Sequence, residues 1–155
     1  MKIESVRANN NRRVFEVATR DQSYDLPYAK TDAIPTPDDP IVELFIDDEL
    51  GREGFTYRLA SGLEDAVLWD QVLDYNADPA YMRDLLLYRL SVEAQERLKE
   101  SPLSKREVIR RLGTSPSQFY RLLDQTNYTK SIDKMLELLA VLDCEVDFVV
   151  KPRAS

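Results

Sequence analysis

The stretch 104-SKREVIRRLGTSPSQFYRLLD-124 contains two signals that start a helix, with one glycine between them. Ser104 and Glu107 form a capping box, and Ser115 repeats the start signal, with a proline after it at the first helical position. Gly113 lies where a left-handed residue commonly ends a helix. The stretch therefore predicts two short helices joined by a tight turn, which is a helix-turn-helix unit.

The same stretch is basic, although the chain as a whole is acidic. The 155 residues carry a formal net charge of -7, with a sequence pI near 4.7. Residues 97–134 hold 9 Lys or Arg and 4 Asp or Glu, whereas residues 1–96 hold 10 and 20. A local basic segment on an acidic protein is expected where one part of the chain meets a polyanion. A chance surplus of arginine on a solvated helix surface would give the same count, so charge alone leaves both interpretations open.

The apolar residues of the two helices indicate which side chains face outward. Val108, Ile109 and Leu112 on the first helix and Phe119, Leu122 and Leu123 on the second are spaced to pack together. This packing directs four polar residues outward, namely Ser115, Ser117, Gln118 and Arg121. Glutamine and arginine can make two hydrogen bonds each to adenine and guanine edges, and serine can bond bases or phosphates. The pattern predicts a surface for double-stranded DNA.

Over roughly residues 101–143 the chain resembles the XRE, or lambda-repressor-like, family of helix-turn-helix proteins. The matching residues are 104-SKREVIRRLGTSPSQFYR-121, although Ile109 and Thr114 stand where a small and an apolar residue are usual. The resemblance implies a phosphate or outer-base contact at the start of the first helix, major-groove contacts around the start of the second, and phosphate contacts in the following loop. Together with Ser115, the DNA-binding residues predicted in this way are Lys105, Pro116, Ser117, Gln118, Arg121, Thr129 and Lys130.

Outside this segment the pattern predicts strands first and a long helix next. Residues 55–62 alternate between apolar and polar side chains, and the apolar residues of 41–48 occupy both faces, which together indicate one small antiparallel sheet. This part also loosely resembles a small α+β family of uncharacterised function, which implies a fold and no activity. Asp78 and Pro79 are typical of the start of a helix. The apolar residues of this helix cover a wide arc, which is expected of a helix that connects two domains, of one in a dimer interface, or of one in the core of a single domain. Residues 144–150 alternate like a strand.

These patterns predict an α+β fold class, with a small antiparallel-sheet domain followed by an all-α, lambda-repressor-like helix-turn-helix domain. We expect the N-terminal α+β domain at residues 1–76, a connecting helix at 77–100, and the helix-turn-helix domain with its C-terminal strand at 101–155. The N-terminal residues lack the apolar core of a secretory signal, and no apolar run approaches the ~20 residues that span a bilayer. We therefore expect a cytoplasmic protein without a membrane partner.

Composition argues against an enzyme. The chain has no histidine and one cysteine, so the common zinc sites, histidine-dependent triads and disulfide frameworks are excluded. We expect no catalytic residues, no cofactor and no metal. The clusters Asp38–Asp39, Asp47–Glu49 and Glu64–Asp65 are interpreted as solvated surface. A divalent-ion site among Asp38, Asp39, Asp47 and Asp48 would favour an enzyme instead.

The predicted function is therefore sequence-specific DNA binding by a transcriptional regulator. One helix-turn-helix contacts only a half-site, so we expect a homodimer on a pseudo-palindromic operator, with the helix at 79–99 and the strand at 144–150 as candidate interfaces. The alternative is an antitoxin-type protein. Such a protein would bind a basic protein partner through its acidic N-terminal domain and repress its own operon through the helix-turn-helix.

Overall fold

The structure is a computed structural model that describes residues 1–153. Six strands come first and five helices follow along the chain. The strands are β1 Ile3–Asn9, β2 Val14–Thr19, β3 Ser23–Pro27, β4 Ile41–Ile46, β5 Gly54–Leu59 and β6 Glu64–Leu68. The helices are α1 Trp69–Tyr75, α2 Pro79–Glu100, α3 Lys105–Leu112, α4 Pro116–Leu123 and α5 Ile132–Val141.

The strands form two antiparallel sheets of three strands each, in the orders β1-β2-β3 and β4-β5-β6. Alternate residues of each central strand face a shared core. The Phe15 ring of β2 lies 4.9 Å from the Phe55 ring and 4.8 Å from the Tyr57 ring of β5, measured between centroids. Burial raises the pKa of Tyr57 to about 12, and its hydroxyl donates to the Ala33 carbonyl oxygen at 2.5 Å.

Asp78 fixes the start of α2. Its carboxylate accepts hydrogen bonds from the Tyr81 backbone N–H at 3.0 Å, the Tyr24 hydroxyl at 2.8 Å and the Gln22 side-chain amide at 2.7 Å. These bonds, led by the one from Tyr81, hold the pKa of Asp78 below its usual value. The cap predicted from the sequence is confirmed, and the same carboxylate also binds the side chains of Gln22 and Tyr24 within the first unit.

The chain divides into two compact units, Met1–Met82 and Arg83–Ser155. The second unit has its own apolar core, formed by α2 to α5. Ala94 and Ser91 are fully buried on α2. The other buried residues of this core are Leu87, Val108, Phe119, Leu122, Met135, Leu138, Leu139 and Leu142.

The fold class predicted from the sequence was wrong in its architecture. The structure has two three-stranded sheets instead of one, and the segment between β3 and β4, which contains three prolines, belongs to neither sheet. The helical part consists of three short helices and a long α2 that begins in the first unit. This arrangement is not clearly that of a lambda-repressor-like domain.

The C-terminal strand predicted at residues 144–150 was also wrong. Residues 144–153 have no regular secondary structure. A single strand leaves its backbone donors and acceptors unpaired, and within residues 1–153 no neighbouring strand pairs with this segment. Across residues 1–153, every helix is too short or too polar to cross a lipid bilayer.

Candidate nucleic-acid interface

Two side-chain caps and a left-handed glycine build the pair of short helices α3 and α4. Ser104 Oγ accepts from the Glu107 N–H at 3.1 Å, and Ser115 Oγ accepts from the Gln118 N–H at 3.2 Å. Gly113 ends α3 at φ +68°, and its N–H donates to the Ile109 carbonyl oxygen at 3.1 Å. The two helix starts and the glycine turn predicted from the sequence are confirmed. The return bond of the predicted capping box is absent, because the Glu107 carboxylate binds Arg110 and Arg111 instead.

Buried apolar residues hold α3 and α4 together and leave one side of α4 in solvent. Val108 and Phe119 are fully buried, and Leu122 is nearly so. Ile109 packs at the edge of this core and is half-buried. The predicted contact residues on the opposite side are all exposed, namely Ser115, Pro116, Ser117, Gln118 and Arg121.

The exposed N-terminus of α4 offers several hydrogen-bonding groups at one place. The Ser115 and Ser117 hydroxyl oxygens lie 3.2 Å apart. Pro116 has no N–H and the Gln118 N–H is bound by Ser115 Oγ, so of the first backbone donors of α4 that of Ser117 remains for a ligand, and the helix dipole favours negative charge there. The Gln118 side chain is exposed one residue further along. This end of α4 can therefore bind phosphate oxygens and base edges.

Tyr120 is a surface residue that the sequence analysis missed. The Lys105 Nζ lies 5.9 Å from the centre of the Tyr120 ring, so the start of α3 and the middle of α4 are joined by a cation–π contact. Tyr120 is 52% exposed. Its spacing of three residues from Ser117 places it on the outward side of α4, and this spacing could have identified it.

Glu107 neutralises part of the basic segment. It accepts from Arg110 at 2.5 and 2.9 Å and from Arg111 at 3.0 Å. These bonds, with the one from Arg110 contributing most, lower the pKa of Glu107 to about 2. Arg106 and Arg121 are exposed and form no ion pair within residues 1–153. The positive charge available to a ligand therefore lies chiefly on these two arginines and on Lys105.

The loop after α4 brings Thr129 to the exposed face. Arg121 Nη2 lies 3.4 Å from Thr129 Oγ1, and Asn127 Oδ1 accepts from both the N–H and the hydroxyl of Thr129. The loop is therefore ordered by its own side chains. It places a hydroxyl beside the arginine of α4.

Lys130 is turned toward the C-terminal end of α4. Its Nζ donates to the carbonyl oxygens of Leu122 at 2.8 Å and of Asp124 at 2.6 Å. Burial lowers the pKa of Lys130, while the nearby Asp124 carboxylate acts in the opposite direction. Lys130 therefore closes the end of α4, which is a structural role in addition to the predicted phosphate contact.

The acidic clusters of the first unit are used in turns. Asp39 accepts from the N–H and the hydroxyl of Ser61 at 2.8 and 2.7 Å. Asp47 accepts from the Thr56 hydroxyl at 2.6 Å and from the Glu49 N–H at 2.9 Å. In the described part of the chain, no group of three or more His, Cys, Asp or Glu residues is placed to hold a metal ion.

No protein-family model matches the chain, and none of the curated proteins or solved structures compared with it matches either. The surface formed by α3, α4 and the following loop is therefore the basis for inferring a ligand. We call this surface the α4 face. Its residues are Lys105, Ser115, Ser117, Gln118, Tyr120, Arg121 and Thr129.

Proposed function

We propose that the protein is a DNA-binding transcriptional regulator that places the N-terminal half of α4 in the major groove. The observation that supports this function best is the exposed side of α4, where Ser117, Gln118 and Arg121 lie beside one another on a helix held by a buried core. A rigid helix with short and long polar groups at its N-terminus suits base-edge contacts. We assign the base contacts to Gln118 and Arg121.

Phosphate contacts surround this pair. Ser115 and Ser117 lie at the N-terminus of α4, Lys105 lies at the start of α3, and Thr129 is next to Arg121. Hydroxyl, ammonium and backbone N–H groups are the usual partners of phosphate oxygens and fix the orientation of a protein on the duplex. Pro116 contributes no donor and holds the first turn of α4 in shape.

The charge distribution supports the same orientation. Residues 97–134 carry a net charge of +5 in a chain of net charge -7. The remaining surface repels a polyanion, so productive encounters are restricted to the basic segment. Because one helix-turn-helix covers only a half-site, we propose that the protein acts as a homodimer, in the cytoplasm where the DNA is accessible.

A second candidate function is that of an antitoxin-type protein. The first unit, residues 1–82, contains 17 Asp or Glu and 8 Lys or Arg, a net charge of -9. Such a surface suits a basic protein partner, and electrostatic attraction would speed their association. Co-purification of a small basic protein that dissociates at high salt would favour this function, and it is compatible with DNA binding by α4.

Direct titration of duplex DNA tests the proposal. We expect fluorescence anisotropy at about 150 mM salt to show binding, and Arg121→Ala to weaken it by about 10-fold or more because a two-bond base contact is lost. Lys105→Ala should weaken all sequences similarly and make the salt dependence shallower. Arg83→Ala is the matched control, since Arg83 is an exposed arginine of the second unit that pairs with Asp84. If Arg121→Ala and Arg83→Ala have equal effects, the α4 face does not bind DNA.

A further inference from the structure

The C-terminal segment, defined here as residues 144–150, exposes apolar side chains in an unusual concentration. Phe148 is 82% exposed, and the two valines after it are 84% and 87% exposed. Apolar side chains exposed next to one another mark interaction sites more often than isolated ones do. The start of the segment is fixed, because the Cys144 N–H donates to the Leu139 carbonyl oxygen at 2.9 Å.

Acidic and apolar residues alternate along this segment. Val146 and Phe148 are separated by Asp147, and Glu145 precedes them. When such a sequence is extended, apolar side chains lie on one side and carboxylates on the other. The complementary surface is an apolar groove with positive charge at its rim.

The second unit contains such a groove, a cavity of about 260 Å³. We call it the leucine groove, and the residues that line it are Gln95, Leu98, Lys99, Leu103, Lys105 and Leu123. Its three leucines are half-buried, while both lysines are exposed. The Gln95 side-chain amide donates to the Leu123 carbonyl oxygen at 2.6 Å and holds one wall in place.

The charges at the rim are available to a partner. Lys105 contacts the Tyr120 ring and forms no ion pair within residues 1–153. Lys99 has only a 3.4 Å contact with Glu96, and both of these side chains are largely exposed. Exposed pairs of this kind contribute little to stability, so they are readily exchanged for another carboxylate.

We propose that the C-terminal segment of a second copy of this chain occupies the leucine groove. Phe148 packs on the leucines, and the carboxylates of Glu145 and Asp147 lie toward Lys99, which leaves Lys105 to the phosphate backbone. Every copy carries one groove and one segment, so reciprocal exchange closes at two copies with two-fold symmetry. This inference rests on the proposed homodimer, and it does not require the protein to bind DNA.

The experiment is a measurement of oligomeric mass without DNA. Light scattering coupled to gel filtration, in reducing buffer so that Cys144 cannot form a disulfide, should give twice the 17.9 kDa of the single chain. Phe148→Asp should weaken dimerisation by about 100-fold, since two aromatic contacts are lost per dimer. Leu63→Asp is the matched control, because Leu63 is 59% exposed and lies outside both surfaces.

Charge reversal identifies the groove. Lys99→Glu should weaken the dimer about tenfold, and Glu145→Lys with Asp147→Lys should weaken it at least as much. The triple variant should recover part of the lost affinity, because the sign at position 99 again opposes the signs at positions 145 and 147, while Lys105 keeps its charge. Lys134→Glu, on α5 and outside the groove, should have no effect. All variants change exposed residues, and circular dichroism checks that they are folded.

Three results would overturn the proposal: a wild-type monomer at about 100 μM, an unchanged dimer in Phe148→Asp, or no recovery in the triple variant. The last result would mean that the segment pairs elsewhere. If the wild-type protein forms a dimer that depends on Phe148 but binds no DNA, the proposed function is wrong and this inference stands. A monomeric wild-type protein with Arg121-dependent DNA binding would remove this inference and the proposed homodimer, and it would leave the DNA contacts of α4 standing.

Discussion

Two helices of the second unit are followed by a residue in the left-handed backbone conformation, a glycine in one case and an aspartate in the other. Comparing the two positions allows a quantitative prediction of stability. Gly113 follows α3 at φ +68°, and Asp143 lies after α5 at φ +61°. A left-handed conformation costs a residue with a Cβ roughly 1–2 kcal/mol, which the greater freedom of glycine in the unfolded chain partly offsets. A Cβ added at Gly113 would meet no atom within 4 Å, so crowding contributes nothing.

We therefore expect Gly113→Ala to lower the free energy of unfolding by about 1 kcal/mol, and Asp143→Gly to be about 1 kcal/mol more stable than Asp143→Ala. Urea unfolding followed by circular dichroism at 222 nm measures both differences. The two alanine–glycine differences should agree within about 0.5 kcal/mol. A loss at Gly113 several times larger than the difference at Asp143, or a more stable alanine at either site, would refute the attribution to backbone strain.

Two further predictions concern the stability of α3 and α4. Ser115→Ala should lower the free energy of unfolding by about 1 kcal/mol, because the Gln118 N–H loses its acceptor. Ser115→Asp should keep most of the stability, because aspartate also caps helices well. Equal losses for the two variants in urea unfolding would argue against the cap. The pKa of Glu107 is lowered to about 2, so its stabilising contribution is fully present above its ordinary value of 4.5 and is lost as the pH falls toward 2. Glu107→Gln should therefore be less stable than wild type at pH 7 and approach it in acid, and a difference independent of pH would show that the arginine contacts do not stabilise the fold.

Local signals were the part of the structure that the sequence predicted well. The caps at Ser104 and Ser115 and the turn at Gly113 depend on residues at most four positions apart, so short-range hydrogen bonds decide them. The same holds for Asp78 at the start of α2. Its bonds to Gln22 and Tyr24 come from residues more than fifty positions away, and no pattern in the sequence indicated them.

Strand pairing was the part that the sequence could not decide. Alternation identifies a strand and its buried face, but the neighbour of each strand depends on contacts between distant residues. Residues 144–150 show the limit, because they alternate like a strand and yet form none, since no partner strand is present in the described chain. Alternation there indicates an amphipathic segment and does not by itself show a strand.

The candidate site shows a similar division. Exposure of Ser117, Gln118 and Arg121 follows from helical spacing, and the structure agrees with it. The inward turn of Lys130 could not be predicted, because its acceptors are the backbone carbonyl oxygens of Leu122 and Asp124. Every residue has a backbone carbonyl, so the sequence does not distinguish a lysine that binds one from a lysine in solvent. The contact of Lys105 with Tyr120 joins two helices, so it required the packed structure.

Selection of bound fragments from a pool of random duplex DNA tests the central claim most directly. At about 150 mM salt, we expect the wild-type protein to recover an inverted repeat, with half-sites about one helical turn apart or a multiple of that distance. Arg121→Ala should lose preference at one position of each half-site, and Arg83→Ala should recover the wild-type motif. Recovery of no motif by the wild-type protein, or of the same motif by Arg121→Ala, would contradict a regulator that reads DNA through α4.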